Sequence, residues 1–170
     1  GQAALARTLE QGLERMVEQR TAELAQAKQR LDSTLASLAD GVYSISVDRR
    51  HLLFASPPVA VLLGLTPDQV PMVRDTMDRL LDEAGCCALD GAFDMASLEG
   101  MAVATLALPH LDDGQGPRWV QNRMTLVRDA DGRPLRIDGI LSDITATVRA
   151  RLAREAALAD LNLRDRALAA

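Results

Sequence analysis

Apolar positions along the chain change their period twice. Over residues 1–39 the spacing is helical: Val17, Leu24, Leu31 and Leu38 stand seven residues apart. Leu13, Arg20, Ala27 and Thr34 occupy the second position of the same repeat. A seven-residue apolar repeat predicts a two-stranded coiled coil, and the absence of Pro from this Ala-, Leu-, Glu-, Gln- and Arg-rich stretch agrees with one long helix. The seam is imperfect, because Arg20 and Thr34 lie in it and Leu5, Leu9 and Met16 follow a shifted phase. The alternative is a helix packed on its own domain. At 1.5 Å per residue the stretch runs roughly 55 Å, too long to lie on one small domain, so a homodimer through this helix is the expectation.

Residues 40–144 read differently. Gly41 to Val47 predicts a strand, Asp48-Arg49-Arg50 a turn, and His51 to Ala55 a second strand. Pro57 and Pro58 can open a short helix and Gly64 can close it. Thr66-Pro67-Asp68 begins another helical piece, and Thr76 to Ala84 a further one that ends before Gly85. Met101 to Leu108 reads as a strand. Arg118–Val127 and Leu135–Asp143 form the clearest pair, joined by Asp129-Ala130-Asp131-Gly132, whose Asp and Gly supply the positive φ of a hairpin turn. In the last strand Leu135, Ile137, Gly139 and Leu141 face one way and Arg136, Asp138 and Ser142 the other, with Ile140 out of pattern. Residues 145–170 return to helical composition without Gly or Pro, with a weaker stripe of Val148, Leu152, Leu158, Leu161 and Leu168. Three parts follow: an entry helix (1–39), a globular domain (40–144) and an exit helix (145–170).

Composition narrows the function. The chain has 170 residues, 48% apolar and 25% charged, with a formal charge of −5, an ordinary globular balance that lacks the basic stripe of a nucleic-acid binder. Only four aromatics are present, Tyr43, Phe54, Phe93 and Trp119, too few for base stacking. The longest apolar run, Val59–Leu63, is far short of the roughly 20 residues a membrane span needs, so no membrane contact is expected in this stretch. The start at Gly1 rather than Met suggests a piece of something longer.

Catalytic chemistry finds no foothold. Cys86 and Cys87 are adjacent, and neighbouring Cα atoms about 3.8 Å apart fall below the usual disulfide span of about 4.4–6.8 Å. They read as free thiols in a reducing, cytoplasmic compartment, and the acidic Asp82 and Glu83 before them argue for inert ones. His51 reads as a surface residue at a strand start. His110 sits in a loop with Asp112 and Asp113, a composition that suits a metal ion but equally a polar hairpin loop. No glycine-rich phosphate loop or paired Ser and His is present. Neither enzyme, metal nor cofactor is expected.

The residues also carry a resemblance. Phe54-Ala55-Ser56, the stretch from Pro57 to Gly64, Arg118-Trp119-Val120, Arg128 to Pro134, and Gly139-Ile140-Leu141-Ser142-Asp143-Ile144-Thr145 resemble a PAS/PAC sensor domain. The closing Asp-Ile-Thr before an exit helix is the most specific element. Glu18-Gln19-Arg20-Thr21-Ala22-Glu23-Leu24 is similar to the signalling helices that precede such domains in bacterial histidine kinases and diguanylate cyclases. The resemblance covers residues 32–149 and is weakest between Thr66 and Gly100.

It implies an α+β fold: a five-stranded antiparallel sheet with short helices on one face, flanked by long N- and C-terminal helices. A pocket would lie between sheet and helices, and the effector would be a separate domain. The flavin-type Asn-Cys-Arg-Phe-Leu-Gln motif is missing, and residues 67–99 hold no His for haem iron. A cavity of aliphatic and Met side chains remains, suited to a small apolar or fatty-acid-like ligand. Its expected walls are Leu62, Met77, Leu80 and Leu81 from the helices and, by strand alternation, Asn122, Met124, Leu126 and Leu141 from the sheet. Asp143 and Thr145 are expected to cap the exit helix and couple it to the sheet. The expected function is a sensor input module relaying a ligand signal through its flanking helices. The alternative is a ligand-free dimerisation and relay module whose apolar residues simply fill the core.

Overall fold

A computed structural model describes residues 1–169, and the side chains of all of these except Ala36 and residues 71–74. The chain forms two compact units, Gly1–Leu38 and Ala39–Ala170. The first is the single helix α1 (Gln2–Ser37), which ends where Leu38 turns extended. Its seam residues Leu13, Val17, Leu24 and Leu31 are 57–72% exposed.

The second unit is built on five strands: β1 (Gly41–Ser46), β2 (Leu52–Ala55), β3 (Met101–Leu108), β4 (Arg118–Arg128) and β5 (Pro134–Asp143). They form one antiparallel sheet in the order β2-β1-β5-β4-β3. Alternation fixes which face is covered. In β4 the residues Val120, Asn122, Met124 and Leu126 turn inward, and in β5 Ile137, Gly139 and Leu141 do. Ile140 keeps the alternation, facing out with 40% exposure. Leu135, expected inward, is 51% exposed at the strand start.

Helices cover the inner face. Pro57 opens α2 (Pro57–Leu63), which Gly64 closes in the left-handed region at φ 65°. Ser56 ties it to the sheet: its Oγ accepts from Val42 N at 2.8 Å, and its own amide donates to Val42 O. A 3₁₀ segment (Pro67–Met72) leads into α3 (Val73–Leu80). The sequence pattern then misleads. The expected helix from Thr76 through Ala84, closed by Gly85, is instead two: α3 stops at Leu80, and α4 (Glu83–Glu99) begins where the Asp82 carboxylate caps Gly85 N at 2.7 Å. Gly85 therefore lies in a first turn rather than ending a helix, and α4, at 17 residues, is not short. It buries Leu89, Ala92, Phe93 and Ala96, spaced as one helical face. With the α2 residues Val59, Ala60, Leu62 and Leu63 they close one core over Leu106, Leu108, Val120, Met124 and Ile137. The last helix, α5 (Thr145–Ala169), buries only Val148.

One close contact sets the middle of the sheet. Tyr43 of β1 pairs with Gly139 of β5, and its ring lies against the glycine where a Cβ would overlap it. Gly139→Ala is expected to cost about 1–3 kcal/mol, the range for overpacking a filled core, as measured by urea denaturation. The loss should shrink in a Tyr43→Ala background. An undiminished loss there would place the strain elsewhere.

Candidate functional site

Between the inner sheet face and the helices lies a cavity of about 280 Å³. That is just below the roughly 300–1,000 Å³ of drug-sized sites, so it suits a small molecule. Its floor is buried sheet: Tyr43, Leu106, Asn122 and Leu141. Val59 and Leu63 of α2, Met77 of α3 and Phe93 of α4 form walls. Arg49, Thr76, Asp78 and Asp90 give its rim, where the two carboxylates are exposed.

Asn122 is the polar group on this floor, 3% exposed. The Tyr43 hydroxyl donates to its Oδ1 at 2.9 Å. Burial pushes the Tyr43 phenol well above its usual range, an effect the Asn122 bond only partly opposes, so the hydroxyl stays protonated and donates. No hydrogen bond from Asn122 Nδ2 to another described residue accompanies that bond, and the fully buried side-chain atom without a partner among the described residues is Arg149 Nε instead.

Of the side chains expected to wall the cavity, the structure brings together Met77, Asn122 and Leu141. Leu62, Leu81, Met124 and Leu126 are buried in the surrounding core, and Leu80 packs against it, none of them on the wall. For Met124 the reason is visible: it shares the row Tyr43–Gly139–Met124, and the Tyr43 ring occupies the space over that row. Tyr43, Arg49, Leu106 and Phe93 were not expected there. Tyr43 and Leu106 carry an alternation signal that points inward, whereas Phe93 rides on the helix that the glycine pattern hid.

Arg49 is the less ordinary addition. It adopts φ 63° in the β1–β2 turn, a conformation uncommon for a residue with a side chain. Its guanidinium reaches α4, 3.2 Å from Asp90, 3.7 Å from Asp94, and 5.3 Å from the centre of the Phe93 ring. The turn is thus latched onto α4 at the rim. Nearby, Cys86 and Cys87 are free thiols. Burial, with the carboxylates of Asp78, Asp90 and Asp82, pushes the Cys86 thiol up.

The second cluster joins the sheet to α5. Asp143 Oδ1 accepts from Thr145 N at 2.9 Å and from the Thr145 hydroxyl at 2.6 Å, so Asp143 meets a free amide at the helix start. Thr145 does something else. Its hydroxyl oxygen accepts from Trp119 N at 3.0 Å, and Ile144 N donates to Trp119 O, pinning the helix sideways to β4. One turn on, Arg149 holds Asp113 through two bonds of 3.0 and 2.8 Å and reaches Gly116 O at 2.9 Å. The Arg149 bond, then the Gln115 amide, holds the Asp113 carboxyl below its usual range. Asp112 accepts from Gly114 and Gly116 amides, so the Asp pair organises its own loop. His110 lies 3.0 Å from Leu63 O, and Arg118 donates to Val61 O and Leu62 O, closing the carbonyl end of α2. No helix among the described residues is long and apolar enough to cross a membrane.

The PAS fold family matches residues 92–149. The chain is similar in structure to a sensory box histidine kinase/response regulator from Burkholderia thailandensis, with TM-score 0.59 and 15% identity, over 78% of this chain and 98% of that one. It is similar to the N-terminal domain of a diguanylate cyclase with PAS/PAC sensor from Marinobacter aquaeolei, with TM-score 0.53 and 18% identity, over 64% and 97%. A PAS domain from Colwellia psychrerythraea gives TM-score 0.55 and 13% identity, over 71% and 98%. No curated protein matches the sequence significantly. The fold is that of PAS domains. The five-stranded antiparallel sheet with its helices agrees with the fold that the sequence resemblance implied.

Two outcomes follow for the joint. Thr145→Ala should lower stability by about 0.5–2 kcal/mol, the range for a lost capping group, and speed hydrogen exchange at the Trp119 amide. Because the Asp113 carboxyl is depressed in the folded chain, its bond to Arg149 adds stability above the ordinary Asp range near 3.9 and loses it as pH falls through the depressed value. The Asp113 carboxyl carbon, followed by NMR, should titrate below that ordinary range.

Proposed function

We propose that residues 40–144 are the input domain of a bacterial signalling protein, that the cavity binds a small apolar ligand, and that residues 1–39 and 145–170 relay its occupancy to a separate effector. The observation that carries this reading is a cavity of about 280 Å³ whose floor is apolar except for the Tyr43 hydroxyl and the Asn122 amide, of which the hydroxyl engages only the amide oxygen. An apolar wall with a few placed polar groups is the usual make-up of a small-molecule site. Asn122, Leu141 and Met77 are the contacts of choice, and Asp143 and Thr145 the joint through which occupancy reaches α5. The reading places the protein in the cytoplasm, in line with its two free thiols.

Native mass spectrometry of the gently purified chain should find a retained small molecule. Asn122→Leu should weaken its retention about tenfold or more, as loss of one buried hydrogen bond predicts, without lowering the melting temperature. Retention unchanged in this variant would remove Asn122 from the site.

A second reading, ligand-free dimerisation and relay, has its own support: Tyr43 already satisfies the Asn122 carbonyl from within the fold. Both readings use a homodimer through α1, supported by its exposed seven-residue seam. Deleting residues 1–38 should convert the dimer to monomer in analytical ultracentrifugation. A dimer that survives the deletion would move the interface to the globular domain.

A further inference from the structure

We infer that the cavity selects an uncharged molecule with an apolar body and a hydrogen-bond acceptor that meets Asn122 Nδ2, and that it turns carboxylates away. This rests on the reading of the cavity as a ligand site and fixes the chemical class of its occupant.

The floor decides the first half. Tyr43 is a donor, and it takes Oδ1 of Asn122. What the amide still offers inside the cavity is therefore an N–H, at a position 3% exposed. A ketone, ester, ether or hydroxyl oxygen completes it, and a hydrocarbon leaves it unmet. The surrounding floor and walls, Leu106, Leu141, Val59, Leu63 and Phe93, take the apolar body.

The rim decides the second half. A carboxylate taken out of water needs a cation or several donors in exchange. Among the described residues, Arg49 is the only cationic side chain on the cavity wall, and it already faces Asp90 and Asp94. Asp78 adds a third carboxylate. An incoming anion meets a net negative rim, and to win Arg49 it must displace two carboxylates of the latch that holds the β1–β2 turn on α4. Burial first, and then Asp78 and Asp90, push the Cys86 thiol up, in keeping with carboxylates on this side of the cavity. A fatty acid, the kind of signal the apolar composition first suggests, fits the walls but not the rim.

The test uses the full chain and four probes of matched length, octane, octanol, methyl hexyl ketone and octanoate, titrated by calorimetry at neutral pH. The ketone and the alcohol should bind about tenfold more tightly than octane, and octanoate more weakly than either. Asn122→Leu should erase the preference for the ketone while keeping octane affinity. Should that variant not fold, Asp78→Asn with Asp90→Asn provides the second arm, since it should raise octanoate affinity toward that of octanol. Octanoate binding as tightly as octanol to the unaltered chain would overturn the proposed ligand class and leave the cavity reading standing. Binding of none of the four would overturn the cavity reading itself, and this inference with it.

Discussion

The arrangement of the globular unit depends on a missing atom. β5 is the middle strand, with β1 on one side and β4 on the other. Adjacent strands lie about 4.8 Å apart, so a link from β1 to β4 must span roughly 10 Å across the face of β5. Tyr43 makes that link, passing over Gly139 and ending on Asn122. Any side chain at position 139 would stand in the ring's path. The contact draws three strands together, fills the space above one row of the inner face, and leaves the row of Asn122 and Leu141 open beneath the helices. The cavity is what remains after the ring has been seated.

Its polar groups divide by depth. At the bottom, a phenol and an amide satisfy each other in part, where burial makes any imbalance costly. At the top, Arg49 and its acidic partners stand in contact with water, where ion pairs contribute little to stability but still shape the local field and hold the turn in place. The floor thus carries the neutral polar groups of the cavity, and the rim the charged ones. Both come from elements far apart in the chain, Tyr43 and Asn122 being 79 positions apart and Arg49 and Asp90 41.

Much of the sheet was legible because a strand with one buried face writes its burial into alternate residues. β4 and β5, with an Asp-Gly turn between them, could be read directly, and Gly64 closed its helix where expected. α4 was hidden by its composition. Its buried face includes Ala92 and Ala96, too small to stand out, and Gly85 and Gly91 look like interruptions. Only the capping bond from Asp82 shows that Gly85 belongs to a first turn. The site was legible to the same extent as its elements. Asn122 and Leu141 follow from strand phase, and Met77 from the helical stretch around it. Phe93 was lost with α4. Arg49 could not be found by pattern at all, since a turn residue becomes part of a cavity only when another helix is folded against it. Met124 and Leu126 show the limit of alternation, which gives a face but not the position along it.

The joint at Thr145 gives α5 the geometry of a pointer on a short bearing. Its first turns are fixed at two places, by Trp119 of β4 and by the Asp113 loop through Arg149, while residues 150–169 are exposed. Its 25 residues extend about 37 Å. A tilt of about five degrees at the base would carry the far end roughly 3 Å, well over half of one 5.4 Å helical pitch. The loop that grips Arg149 belongs to the same segment whose Arg118 holds the carbonyls of α2, and α2 is a wall of the cavity. A displacement too small to disturb the core would therefore be magnified along this arm.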